Sequence, residues 1–122
     1  MNKEIILTDK SPAPIGPYSQ AVMANGTLYI SGQIALSVAA SGDIAAETKA
    51  VMENMGHILE AAGLAFSNVV KCGIFLKDMD DFTTVNKVYG TFFDEQPPAR
   101  ETVQVSRLPK DVNVEISAIA VS

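Results

Sequence analysis

The dipeptide Asn25-Gly26, set between an extended apolar stretch around Tyr18 to Met23 and the run Leu28-Tyr29-Ile30, most narrows what this chain can fold into. A two-residue hairpin turn needs positive φ at its centre, which Asn and Gly tolerate, so the pair predicts a β-hairpin with Leu28 to Gly32 as its returning strand. The period then changes. Val51, Met55, Ile58, Leu59 and Ala62 recur on one helix face, with Gly63 where a C-terminal cap belongs. Val69 to Leu76 is rich in β-branched and aromatic residues and predicts a strand. A second helix is expected to start near Asp78 to Asp81, whose carboxylates suit a helix N-terminus. Its apolar stripe is Phe82, Val85, Tyr89, Phe92 and Phe93, and Pro97-Pro98 lies beyond its end. Two last strands, roughly Thr102 to Ser106 and Val112 to Val121, flank a turn at Leu108-Pro109-Lys110-Asp111. The order β-β-α-β-α-β-β predicts an α+β fold: a single mixed β-sheet with two helices on one face, leaving the other face for subunit contact.

Length and charge limit the partners. At 122 residues the chain is expected to form one domain, 1–122. Its net charge is -5, and its basic residues are scattered singly, which argues against nucleic acid and anionic membranes as main partners. Cys72 is the only cysteine, so no intrachain disulfide forms, which fits a reducing compartment. The N-terminal apolar run is too short for a signal peptide, and nothing approaches a membrane span of roughly 18 apolar residues. A soluble cytoplasmic protein is the expectation.

No P-loop, nucleophile elbow, zincin or C-x-x-C signature occurs, and one His with one Cys argues against a protein-bound metal. His57 reads as a solvated helix residue, Cys72 as a small buried hydrophobe, and the Phe82 to Phe93 stripe as core. Arg100 stands out. Pro97-Pro98 stiffens the backbone just ahead of it, at the mouth of a strand, where a planar guanidinium suits a carboxylate or phosphate. Tyr18 follows the rigid Gly16-Pro17 turn, and Ser31-Gly32 ends a strand where a ligand can approach the backbone. These residues could line one small anionic pocket. Glu115, which shares a strand face with Asn113, Ser117 and Ile119, reads as a paired structural carboxylate or as a site acid, the structural role being favoured. Glu101 falls just outside the pocket face by strand alternation, with Lys110 or Arg107 as candidate ion-pair partners.

Four ordered segments carry a resemblance. Ala13-Pro14-Ile15-Gly16-Pro17-Tyr18-Ser19-Gln20, Ser31-Gly32-Gln33-Ile34, Pro98-Ala99-Arg100 and Val105 to Asp111 resemble the RidA/YjgF family of imine deaminases, also labelled endoribonuclease L-PSP or translation inhibitor. The resemblance runs over essentially the whole chain. It implies a chorismate-mutase-like homotrimer with a pocket at each subunit interface that takes small 2-imino or 2-oxo acids. It further implies hydrolysis of 2-aminoacrylate, 2-iminopropanoate and 2-iminobutanoate to 2-oxo acids and ammonia, without a cofactor. Arg100 matches the arginine that grips the substrate carboxylate and Tyr18 the pocket tyrosine. Ser31, Gly32 and Asn86 match further lining. Two substrate-binding positions depart from the family pattern: Thr102 stands for a cysteine, and Ser117 for a glutamate two residues beyond Glu115 that positions the attacking water. A serine there has no basic form near neutral pH. The expected activity is therefore imine deamination. The alternatives are a catalytically weak trimeric binder or sensor of small 2-oxo or 2-amino acids and, behind it, an endoribonuclease.

Overall fold

The hairpin forms as the sequence predicts, between β2 (Ala21–Ala24) and β3 (Thr27–Gln33), with Ala24 opposite Thr27. Asn25 and Gly26 take φ of 52° and 80° at its tip. The computed structural model, which describes residues 2–122, adds a strand that sequence periodicity passed over: β1 (Lys3–Ile6) pairs antiparallel with β2. Only Ile6 of β1 is buried, so the strand shows no alternation to read. A one-turn helix, α1 (Leu36–Ala39), follows β3 and is likewise too short to carry a period.

The helix α2 (Ile44–Ala61) starts where the Asp43 carboxylate accepts a hydrogen bond from Ala46 N at 3.0 Å. It stops at Gly63, whose φ of 75° lets Leu64 N donate back to Leu59 O at 2.8 Å. Then come β4 (Val69–Leu76), α3 (Phe82–Gly90), β5 (Ala99–Gln104) and β6 (Val114–Val121). The strands form one sheet in the order β1-β2-β3-β6-β4-β5, antiparallel throughout except for the parallel β4–β5 pair. The mixed α+β sheet is therefore as expected, with six strands and three helices rather than five and two. Two boundaries move as well. Arg100 lies inside β5 rather than at its mouth, and α3 ends before Phe92 and Phe93, which fold back onto Phe66 with ring centroids 5.3 and 5.6 Å from it.

Alternation along the strands divides the sheet. Cys72, Ile74 and Leu76 of β4 and Val114, Ile116, Ala118 and Ala120 of β6 are buried beneath the helices. They pack with Val51, Met52, Met55, Ile58 and Leu59 of α2 and with Val85 and Tyr89 of α3. Each large apolar side chain in this layer contributes about 1.5–3 kcal/mol by leaving water. One carboxylate joins the core: fully buried Glu47 accepts from Asn113 N at 2.9 Å, Asn113 Nδ2 at 2.7 Å and Val114 N at 3.2 Å, tying α2 to the start of β6. Among the described residues, no helix is long and apolar enough to cross a membrane.

Candidate functional site

The register of β3 against β6 breaks in one place. Ile30 pairs with Ala118 and Gln33 with Ile116, so Ser31 and Gly32 together oppose Ser117. This is a β-bulge, a device that re-aims side chains beside sites. Gly32 lets the Glu115 side chain lie across it, since a Cβ there would overlap that carboxylate and force it to move. Around this point a cavity of about 460 Å³ opens, lined by Tyr18, Ser31, Gly32, Lys110 and Glu115 at its polar end. The segment from Pro12 to Ile15 and Ile34 with Leu36 form its apolar walls.

Local hydrogen bonds fix the loop that carries Tyr18. Ser31 N donates to Gln20 O at 2.9 Å and Ser31 Oγ to Ser19 O at 2.6 Å, so Ser31 pins the chain just after the tyrosine. Buried Gln20 accepts from Thr8 N at 2.8 Å and donates to Pro12 O at 3.0 Å, holding the proline-rich loop down. Tyr18 N closes a tight turn on Gly16 O at 2.9 Å, and the phenol is left half-exposed over the cavity. His57 joins this scaffold instead of standing free in solvent: it is half-buried, and its Nδ1 donates to Lys10 O at 3.1 Å.

Glu115 resolves the two roles left open by the sequence. The ion pairs among the described residues are Lys10–Glu60, Lys71–Glu101 and Lys77–Asp111, and no hydrogen bond reaches the Glu115 carboxylate either. It is not the paired structural carboxylate that was favoured. Burial pushes its pKa up from the usual carboxylate value. The resemblance points to Ser117 instead, yet Glu115 shares the cavity with Tyr18, Ser31 and Gly32 while Ser117 does not.

Ser117 lines a neighbouring depression of about 480 Å³ on the open sheet face, on the other side of Tyr18 and Ser31. Glu101, Gly73 and Ser117 form one row across β5, β4 and β6. A Cβ at Gly73 would stand 3.1 Å from Glu101 Oε2 and 3.2 Å from Ser117 Oγ. Glu101 therefore lies on the same open face as Ser117, and it pairs with Lys71 Nζ at 2.9 Å instead of with Lys110 or Arg107.

Arg100 is elsewhere. It faces the helix layer at the sheet edge, opposite Cys72 in the register, with β4 standing between its strand and β6. Asn86 Oδ1 accepts from Arg100 Nη1 at 2.7 Å, and the guanidinium carbon lies 5.6 Å from the Phe82 ring centre and 5.1 Å from that of Tyr89. Phe82 is thus a partly exposed partner of the arginine and not core, while Cys72 is buried as expected, its thiol pKa pushed up by burial. Thr102 points the same way as Arg100, with its Oγ1 buried and unpartnered. One chain does not bring Arg100, Asn86 and Thr102 to the cavity that holds Tyr18, Ser31, Gly32 and Glu115, so the single-pocket expectation fails for an isolated subunit. Among the described residues, no three His, Cys, Asp or Glu side chains converge as metal ligands.

Residues 8–122 match the family described as Endoribonuclease L-PSP, and the chain belongs to that family. The 2-iminobutanoate/2-iminopropanoate deaminase of Mus musculus is 49% identical over 98% of this chain and 91% of its own length. A RutC family protein of Synechocystis is 50% identical over 99% of this chain and 98% of its own. Among solved structures, the YjgF gene product of E. coli superimposes with a TM-score of 0.89 at 44% identity, covering 97% of this chain and 98% of that one. E. coli TdcF with bound serine matches at a TM-score of 0.89 and 42% identity, covering 98% of each chain.

Proposed function

We propose that this member of the endoribonuclease L-PSP family hydrolyses small 2-imino acids to 2-oxo acids and ammonia, working as a homotrimer. The unpaired, pKa-raised Glu115 beside Tyr18 in a partly apolar cleft is the observation that carries this reading. The deaminase named for the mouse relative supports the same chemistry.

The positions of the two charged groups support assembly from more than one copy. Arg100 faces the helix side of β5 and Glu115 the open side of β6, so they can meet on one substrate only between two copies of the chain. The open face carries exposed Ile5, Tyr29, Val103 and Val121, an apolar surface suited to burial against a second subunit. In the complete site, Arg100 of the partner subunit would clamp the substrate carboxylate through two parallel N–H donors and set the C=N carbon over Glu115. Water attacks that carbon as Glu115 takes its proton. Glu115 returns that proton to the carbinolamine nitrogen, and the C–N bond breaks to release ammonia as the hydroxyl gives its proton to Glu115 and becomes the C=O of the 2-oxo acid. Protonation makes the imine electrophilic from the outset, and the Tyr18 hydroxyl is available to stabilise the developing carbinolamine oxygen.

A second reading, a trimer that binds small 2-oxo or 2-amino acids without turning them over, draws support from the serine bound to E. coli TdcF. An endoribonuclease fits poorly with a net charge of -5. Release of 2-oxo acid from freshly generated 2-aminoacrylate separates these readings. A deaminase accelerates it, loses most of the acceleration but keeps a measurable remainder in Arg100→Ala, and loses it in Glu115→Gln. Millimolar binding of 2-oxobutanoate with no acceleration by the wild type would leave only the binder.

A further inference from the structure

We propose that one face of α3, made of Phe82, Asn86 and Tyr89, is a positioning device that holds the Arg100 guanidinium ready for a carboxylate before substrate arrives. The three residues are spaced i, i+4, i+7, so they stand in one row along the helix. All three meet the same group: Asn86 Oδ1 at 2.7 Å from Nη1, and the Phe82 and Tyr89 rings at 5.6 and 5.1 Å from the guanidinium carbon. An arginine on an edge strand would otherwise sample many rotamers, and ordering it would weaken every binding event. Here two aromatic faces and one charge-assisted acceptor hold it, while donors not used by Asn86 stay free for a bidentate carboxylate. Asn86 is thus not a substrate ligand, as the resemblance implies, but acts through Arg100 with its carbonyl oxygen. The Tyr89 hydroxyl is buried beside the Cys72 thiol and kept protonated mainly by burial, so it is the ring that Tyr89 offers to the guanidinium.

This inference rests on the proposed carboxylate clamp, and its test is built to fail separately from it. Asn86 is exposed on a helix, where alanine is the better helix former, so Asn86→Ala should fold with unchanged or slightly raised stability to urea. It is expected to lower kcat/KM for 2-iminobutanoate by about tenfold, mostly through KM, since a loosened fork weakens carboxylate binding. Asn86→Asp keeps the acceptor and should restore most of that loss, whereas a side chain donating to substrate would not be rescued by a carboxylate. In the Arg100→Ala background Asn86→Ala should cost less than about twofold, because its only route to the substrate is gone. The Arg100 Nε–H order parameter from nuclear magnetic resonance should read as rigid in the wild type and fall below about 0.6 in Asn86→Ala. An undiminished tenfold cost in the Arg100→Ala background, or an Arg100 side chain already mobile in the wild type, overturns the proposal. If the wild type neither turns over imines nor binds 2-oxobutanoate, the clamp reading falls instead, and the order parameter still decides whether α3 holds the arginine.

Discussion

Along β6, neighbouring residues live in different chemical worlds. Val114, Ile116, Ala118 and Ala120 are sealed beneath two helices, whereas Glu115, Ser117 and Ile119 between them stay half-exposed on the bare side. The covered side is uniformly apolar and makes the fold. The bare side mixes a titrating carboxylate, hydroxyls, an ion pair and unburied apolar side chains, which is the make-up of a site joined to an interface. A single strand can serve both because its side-chain period is two, so each duty is assigned by parity and neither compromises the other.

Substitutions at adjacent positions test that division. The largest effect is expected from Glu115→Gln, which should lower kcat/KM on 2-iminobutanoate by about 10²–10⁴-fold in steady-state assays while the chain stays folded. Next door, Ile116→Ala should do the opposite. It should cost about 2–5 kcal/mol in urea unfolding, since Ile116 is fully buried, with activity falling only as the protein unfolds. Ile119→Asp should leave the subunit folded but shift light-scattering mass from the proposed trimer toward monomer, and an unchanged oligomer would remove the open face from the interface. Ser117→Glu places a second carboxylate beside Glu101 across Gly73, a repulsion of about 0.2–1 kcal/mol. It should bring no gain in deaminase activity if Glu115 is the base, as proposed above.

The pH dependence sharpens the contrast further. Burial raises the Glu115 pKa, so the acidic limb of kcat/KM should lie above the ordinary carboxylate range and vanish in Glu115→Gln. The sign for stability follows from the same shift. A group whose folded pKa is raised contributes its stability below its unfolded pKa, and loses it as pH rises through the folded value. The wild type should therefore lose stability relative to Glu115→Gln across that window.

Much of this was legible in the chain, and the parts that were not share a physical cause. The Asn25-Gly26 hairpin, α2 from Val51 to Ala62 and the strand Val69 to Leu76 announce themselves through local turn chemistry and period. Strand β1 and helix α1 are held by tertiary pairing and carry too few residues for a period. Arg100, Tyr18, Ser31 and Gly32 could be singled out, but not that a sheet stands between Arg100 and the others. That depends on which way each strand's parity falls, and a one-residue slip in the pairing of β5 with β4 reverses it. The role of Glu115 was hidden for a related reason. Its environment is set by a bulge in β3, far away in sequence, and not by its neighbours in β6.

That bulge makes the cavity depend on a count of residues as well as on their identity. Ile30 and Gln33, three apart, both point into the core only because one extra residue sits between them. Deleting either Ser31 or Gly32 would restore an unbroken ladder and a regular strand. It would also erase the concavity, so this cavity is written partly as an irregularity in spacing, which a comparison of residue types at matched positions would pass over.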